Sequence, residues 1–129
     1  MKTVLVIEDD RDTRLILAEI LAGEGYEAVP VEAGDGAVRY LESNDPPCLV
    51  LLDVHMPRMN GVAFLQWLNK QEKLKHLPVA VISALRLDDQ RDKPPYREHV
   101  VGVLRKPFTL EDVLEMLDSH CGTDAQEAA

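Results

Sequence analysis

The chain has 129 residues, 46% of them apolar, which is enough for one domain with a substantial core. Its 14 basic and 23 acidic residues leave a net charge of -9, which argues against binding the phosphate backbone of nucleic acids and against anionic membrane surfaces. No apolar run approaches the ~20 residues of a membrane span, and the amino terminus turns acidic after four apolar residues, so no signal peptide is expected.

In chain order, VLVI (4–7) is short, β-branched and unbroken, the pattern of a strand buried on both faces. Asp10 or Asp12 can cap a helix that runs to about Gly23, with Ile16, Leu17, Ile20 and Leu21 as its apolar stripe. Gly23 and Gly25 stop it. Residues 27–32 read as a weaker strand, which Pro30 places at a sheet edge. AGDG (33–36) then opens a short helix carrying Val38 and Leu41.

CLVLLD (48–53) is the clearest strand, entered from a Pro-Pro turn. MPRMNG (56–61) is a loop in which Asn60 can cap a helix over 61–74 carrying Phe64, Leu65 and Leu68. LPVAVIS (77–83) and VVGVL (100–104) complete the strands. Between them, LRLDDQRDKPPYREH should supply a fourth helix, but Pro94 and Pro95 forbid a regular one, so an irregular fourth helix is expected. TLEDVLEMLDSH (109–120) reads as a helix capped by Thr109, with Leu110, Val113, Leu114 and Leu117 facing inward. The domain is expected to span 1–121, with residues 122–129 as a flexible polar tail.

Strands that alternate with helices demand a parallel sheet covered on both faces. A doubly wound five-stranded sheet in the order 2-1-3-4-5 makes strands one, three, four and five consecutive neighbours. Ligands of such sheets bind beyond the carboxyl ends of the strands. Glu8, Asp9 and Asp10 follow the first strand, Asp53 ends the third, Ser83 ends the fourth, and Lys106, next to Pro107, follows the fifth. Clustered carboxylates repel one another and call for a cation. A hard dication such as Mg2+ takes one or two carboxylates together with phosphate oxygens. A lysine and a serine hydroxyl on the opposite side would grip a tetrahedral anion, so the set points to phosphoryl transfer. There is no P-loop and hence no built nucleotide cradle.

Each of these residues also has a plainer reading. Asp53 could cap a loop, the acidic run could be a solvated helix start, Lys106 could be a surface lysine and Ser83 a strand-end hydroxyl. The histidines have no ligand spacing. Trp67 shares a helical stripe with Phe64 and reads as packing. Cys48 opens an apolar run and reads as a small buried residue rather than a disulfide partner; with no CxxC pair, a reducing, cytoplasmic setting is expected.

Taken together, VLVIEDD, LLDVHMPRMNG, VAVISA and LRKPF, in this order and spacing, resemble the receiver domain of two-component response regulators over nearly the whole chain. The resemblance implies a flavodoxin-like fold with Asp53 as phosphoacceptor. Asp9 would bind Mg2+ directly, Glu8 mainly through water, and the backbone carbonyl of His55 would also reach the metal. Ser83 would bond a phosphoryl oxygen and Lys106 would pair with the phosphate, with Lys106–Pro107 often cis. Asp10 lies outside this set and is expected only to cap the first helix. The implied donor is a sensor histidine kinase or phosphotransfer protein, and the implied output is binding to a downstream protein target rather than enzymatic turnover.

Two departures bear on that output. The family's Tyr or Phe three positions before the lysine is Val103, and Pro94-Pro95 interrupts the usual signalling face. His55 and Leu85 hold positions that tune acyl-phosphate hydrolysis in the family. The chain has its own Met1 and nothing after Cys121 that could form an output domain, so a single-domain receiver is expected. The alternatives are a receiver fragment of a larger hybrid kinase or regulator, and a constitutive interaction module with a receiver fold. A fourth, a Mg2+-dependent phosphohydrolase, lacks the second aspartate two residues on, where His55 stands.

Overall fold

A computed structural model describes residues 2–53, 61–83 and 99–122. Five parallel strands, β1 (Thr3–Ile7), β2 (Glu27–Val31), β3 (Leu49–Asp53), β4 (Val79–Ser83) and β5 (Val100–Arg105), form one sheet in the order β2-β1-β3-β4-β5. The helices among the described residues are α1 (Arg11–Gly23), α2 (Gly34–Ser43), α3 (Gly61–Asn69) and α4 (Leu110–Leu117). This is the flavodoxin-like, doubly wound arrangement expected from the alternation of patterns. The irregular helix expected over residues 85–98, with Pro94 and Pro95, lies outside the described residues, as do Asn60 and the tail from residue 123.

The sheet is buried on both faces because its interior strands are apolar throughout except at the end residues Thr3, Asp53 and Ser83. Leu5, Ile7, Val50, Leu52, Val79 and Val81 face α2 and α3, where Leu41, Phe64, Leu65 and Leu68 close the core. Val4, Val6, Leu49, Leu51, Ala80 and Ile82 face the other way, onto Leu17 and Leu21 of α1 and Val113 and Leu117 of α4. Pro30 sits on β2 at the sheet edge, opposite Val6, where its missing N–H costs no central ladder bond. Phe64 and Trp67 stack with ring centroids 6.1 Å apart, as packing residues.

The helices differ from the sequence expectation where the apolar stripe is narrower than the list of apolar residues. In α1, Leu17 and Leu21 are buried and Ile20 flanks them, but Ile16 is 52% exposed, because it lies about 100° around the helix from Leu17 and points off the sheet. Leu110 is 53% exposed at the first turn of α4, while Val113 and Leu117, one turn apart, carry the contact. The helix expected over 61–74 ends at Asn69: Lys70 and Gln71 donate to carbonyls three residues back, and a 3-10 turn follows at Glu72–Leu74. The last helix likewise gives way at Leu117 to a π turn over Asp118–Gly122. Gly25 has φ +86°, which lets the chain reverse after α1 into β2.

One sequence expectation is overturned. Cys48 and Cys121 are joined in a disulfide, with Cα atoms 5.6 Å apart. Cys48 immediately precedes β3 at the amino-terminal rim of the sheet, and α4, running back antiparallel to the strands, delivers Cys121 to the same rim. Tertiary proximity of residues 73 apart leaves no local spacing to read.

Candidate functional site at the carboxyl ends of the strands

Parallel neighbours end on one rim, so the residues that follow β1, β3, β4 and β5 meet there. Glu8 leaves β1 with its N–H donating to the Val31 carbonyl at 3.1 Å and its side chain fully buried. Asp9 is exposed. Asp53, the last residue of β3, is 3% exposed, and Ser83, the last of β4, is buried. One carboxylate oxygen from each of Glu8, Asp9 and Asp53 lies within 4.8 Å of the others. Lys106, one residue past β5, places Nζ 3.1 Å from Glu8 Oε1 and 3.7 Å from Asp53 Oδ2. Its N–H donates to the Ser83 carbonyl at 2.9 Å, tying the ends of β4 and β5, and its peptide bond to Pro107 is cis. His55 lies outside the described residues.

Asp10 stands apart from this group. Its side chain accepts from the Thr13 N–H at 2.9 Å and caps α1. The hydroxyl and N–H of Thr13 hold its carboxyl below the usual range. Arg14 is a positioning residue that the sequence reading missed. Its guanidinium reaches back to donate to the Glu8 carbonyl at 3.0 Å and to that of Asp9 at 3.4 Å, and it lies 3.6 Å from Glu32. The signal was available: an arginine in the first turn opposes the helix dipole, so it needs another reason to be there.

The electrostatics follow from burial. The Glu8 carboxyl is pushed up to about 8, first because burial strips its charged form of water, then by hydrogen bonding to Asp53. Burial works against the charge of Lys106, but Glu8, Asp53 and Asp10 outweigh it and raise its pKa. Glu8 Oε1 is buried and receives no hydrogen bond of sound geometry, although the ammonium lies beside it. Among the described residues the possible metal donors are carboxylate oxygens, which fit a hard divalent cation rather than a soft one.

The carboxyl rim of this doubly wound α/β domain gathers three carboxylates and a lysine into an acidic pocket, an arrangement consistent with a phosphoacceptor site. The chain is a member of the response regulator receiver domain family of two-component signalling, matched over residues 4–118. It is 25% identical over 123 residues to the polar-differentiation response regulator DivK of Brucella ovis, covering 94% of this chain and 97% of that one. It superposes on the chemotaxis protein CheY4 of Vibrio cholerae with a TM-score of 0.82 at 25% identity, over 93% of this chain and 98% of that one. It also superposes on the receiver domain of the sensor histidine kinase PA1611 of Pseudomonas aeruginosa, with a TM-score of 0.81 at 21% identity over 95% and 98% of the two chains. That domain has a magnesium ion coordinated in its active-site cleft. Among the described residues, no helix is long and apolar enough to cross a membrane.

Proposed function

We propose that Asp53 accepts a phosphoryl group from a phosphohistidine on a partner sensor histidine kinase or phosphotransfer protein. An Asp53 carboxylate oxygen bonds to phosphorus as the P–N bond breaks, and the departing imidazole nitrogen takes up a proton. Asp9 and Asp53 would hold Mg2+ directly, Glu8 through water, and the carbonyl of His55 would complete the protein donors; a bound ion would supply positive charge to offset that of the phosphoryl oxygens. Lys106 supplies the second positive charge at the anion, and the Ser83 hydroxyl bonds a phosphoryl oxygen. Turnover of substrate is not part of this reading: the product is an acyl phosphate on the chain itself, and it biases binding to a downstream protein target. A cytoplasmic location goes with it, where kinases draw on ATP.

The observation that carries the proposal is the position of Lys106, within 3.1 Å of Glu8 and 3.7 Å of Asp53 at a rim where buried carboxylates would otherwise exclude a phosphate. Incubation with Mg2+ and acetyl phosphate tests it. The chain should gain about 80 Da, one phosphoryl group, and Asp53→Ala should gain nothing.

Val103 favours a second reading. This half-buried aliphatic residue of β5 lines a groove with Met116 and Pro107 where the family's aromatic residue would stand. A constitutive interaction module needs no aromatic readout. Under that reading acetyl phosphate leaves the mass unchanged, and partner binding is the same for the native chain and Asp53→Ala.

A further inference from the structure

The rim opposite the acidic site carries chemistry that phosphoryl transfer does not use. Cys48 is half-buried just before β3, its N–H donating to the Thr3 carbonyl at 2.9 Å. Its disulfide partner Cys121 is 3% exposed, within the core under α1 and α4. The two sulfurs are therefore unequally placed. Cys48 opens on two grooves, one of about 480 Å3 whose charged residues are Lys2 and Asp45, the other of about 370 Å3. The second groove is lined by Lys73, Lys75, His76 and His120, with a single carboxylate, Glu72, which pairs with Lys75 at 3.0 Å. In a chain of net charge -9 this is a local reversal of sign beside a disulfide.

We propose that Cys48–Cys121 is a thiol–disulfide exchange site for an anionic low-molecular-weight thiol, and that exchange unlatches the end of α4 from the sheet. The incoming thiolate attacks the Cys48 sulfur from the basic groove. A new S–S bond forms to Cys48, the Cys48–Cys121 bond breaks, and Cys121 leaves as a thiolate that takes up a proton. His120, adjacent to Cys121 in the chain, lines the same groove as Cys48 and adds a basic group on the path of the incoming thiolate. A second thiolate attacks the mixed disulfide, releasing Cys48 and leaving the small thiol as its own disulfide. Two electrons pass to the protein, and two small thiols are oxidised to one disulfide. The tie that pins the π turn at Asp118–Gly122 to the start of β3 is then gone.

The test uses the native full chain with mercaptoethanesulfonate and cysteamine, an anionic and a cationic thiol, their rates compared per thiolate. The expected result is reduction without denaturant, a gain of two thiols, and a rate several-fold higher for the anionic reagent, as local charge attraction gives. A disulfide that opens only when the chain is unfolded, or that prefers the cationic thiol, overturns the proposal. The point of attack is read separately by titrating single-cysteine variants with dianionic 5,5′-dithiobis(2-nitrobenzoate). Cys48 in Cys121→Ser should react about tenfold faster than Cys121 in Cys48→Ser, following access to the sulfur; equal or reversed rates refute the assignment. The wild-type experiment does not depend on either variant folding. Neither arm requires Asp53, so each can fail without bearing on phosphoryl transfer.

Discussion

Lys106 Nζ lies 3.1 Å from Glu8 Oε1, so the residue after the edge strand β5 meets the carboxyl group that follows the interior strand β1. The lysine reaches across the ends of β4 and β3 to do so. It lies beside a fully buried Glu8 and a nearly buried Asp53.

Lys106→Met should therefore have two separable effects. Uptake of phosphate from acetyl phosphate should slow by about 100-fold or more, the loss seen when a charge that stabilises a developing anion is removed. Stability in the absence of metal should fall by only about 1 kcal/mol, because the ammonium is 31% exposed and solvent screens part of the pair. Urea unfolding and phosphorylation time courses on one preparation measure both. An unchanged phosphorylation rate would remove Lys106 from the proposed chemistry.

The pH dependence has a definite sign. Glu8 titrates near 8 in the folded chain against 4.5 as its ordinary value. Between those values the folded state holds a proton that the unfolded chain has released, so rising pH favours unfolding. The stabilisation is complete below about 4.5 and is lost as pH climbs through about 8. Melting temperature without metal should fall across this window from that cause, and Glu8→Gln, which keeps the shape without the titration, should flatten the fall. Added Mg2+ should raise the melting temperature most at the alkaline end, where no proton competes for the site. A Mg2+ effect that shrinks with rising pH would contradict the arrangement.

The disulfide closes a long loop between residues 73 apart in sequence. Loop-closure entropy alone assigns it about 4 kcal/mol, through restriction of the unfolded chain. Reduced protein should unfold at correspondingly lower denaturant concentration. Phosphate uptake at Asp53 should be unchanged by reduction wherever the chain stays folded, since the two sites occupy opposite rims. A loss of uptake in folded, reduced protein would mean that the rims are coupled.

Thr109 accepts from the Asp112 N–H at 3.1 Å while Asp112 accepts from the Thr109 N–H at 2.9 Å, closing a capping box at the start of α4. Thr109→Ala should cost about 1 kcal/mol, as cap removal does elsewhere. Calorimetry checks the value, and the same variant should leave acetyl-phosphate labelling intact.

Much of this molecule is written locally. Strands β1, β3 and β4 are legible because continuous β-branched and leucine-rich runs fit a sheet buried on both faces. The caps at Asp10 and Thr109 are legible because side-chain-to-backbone bonds act over three residues. The candidate site was legible for a related reason: in a parallel sheet every strand delivers its last residue to one rim, so Glu8, Asp9, Asp53, Ser83 and Lys106 could be grouped from their positions after apolar runs.

What needed the folded chain is of another kind. Whether Ile16 or Leu17 touches the sheet depends on a helix rotation that a stripe of adjacent apolar residues leaves open, and packing against Val4 and Val6 settled it in favour of Leu17. The roles of Arg14 and of the Cys48–Cys121 bond depend on distances between segments that share no sequence neighbourhood. By itself, the sequence determined the elements and the rim on which their polar ends would gather, because hydrophobic periodicity and capping are short-range physics. Only the tertiary structure decided which side chains meet, because strand order and helix rotation are set by the whole core at once.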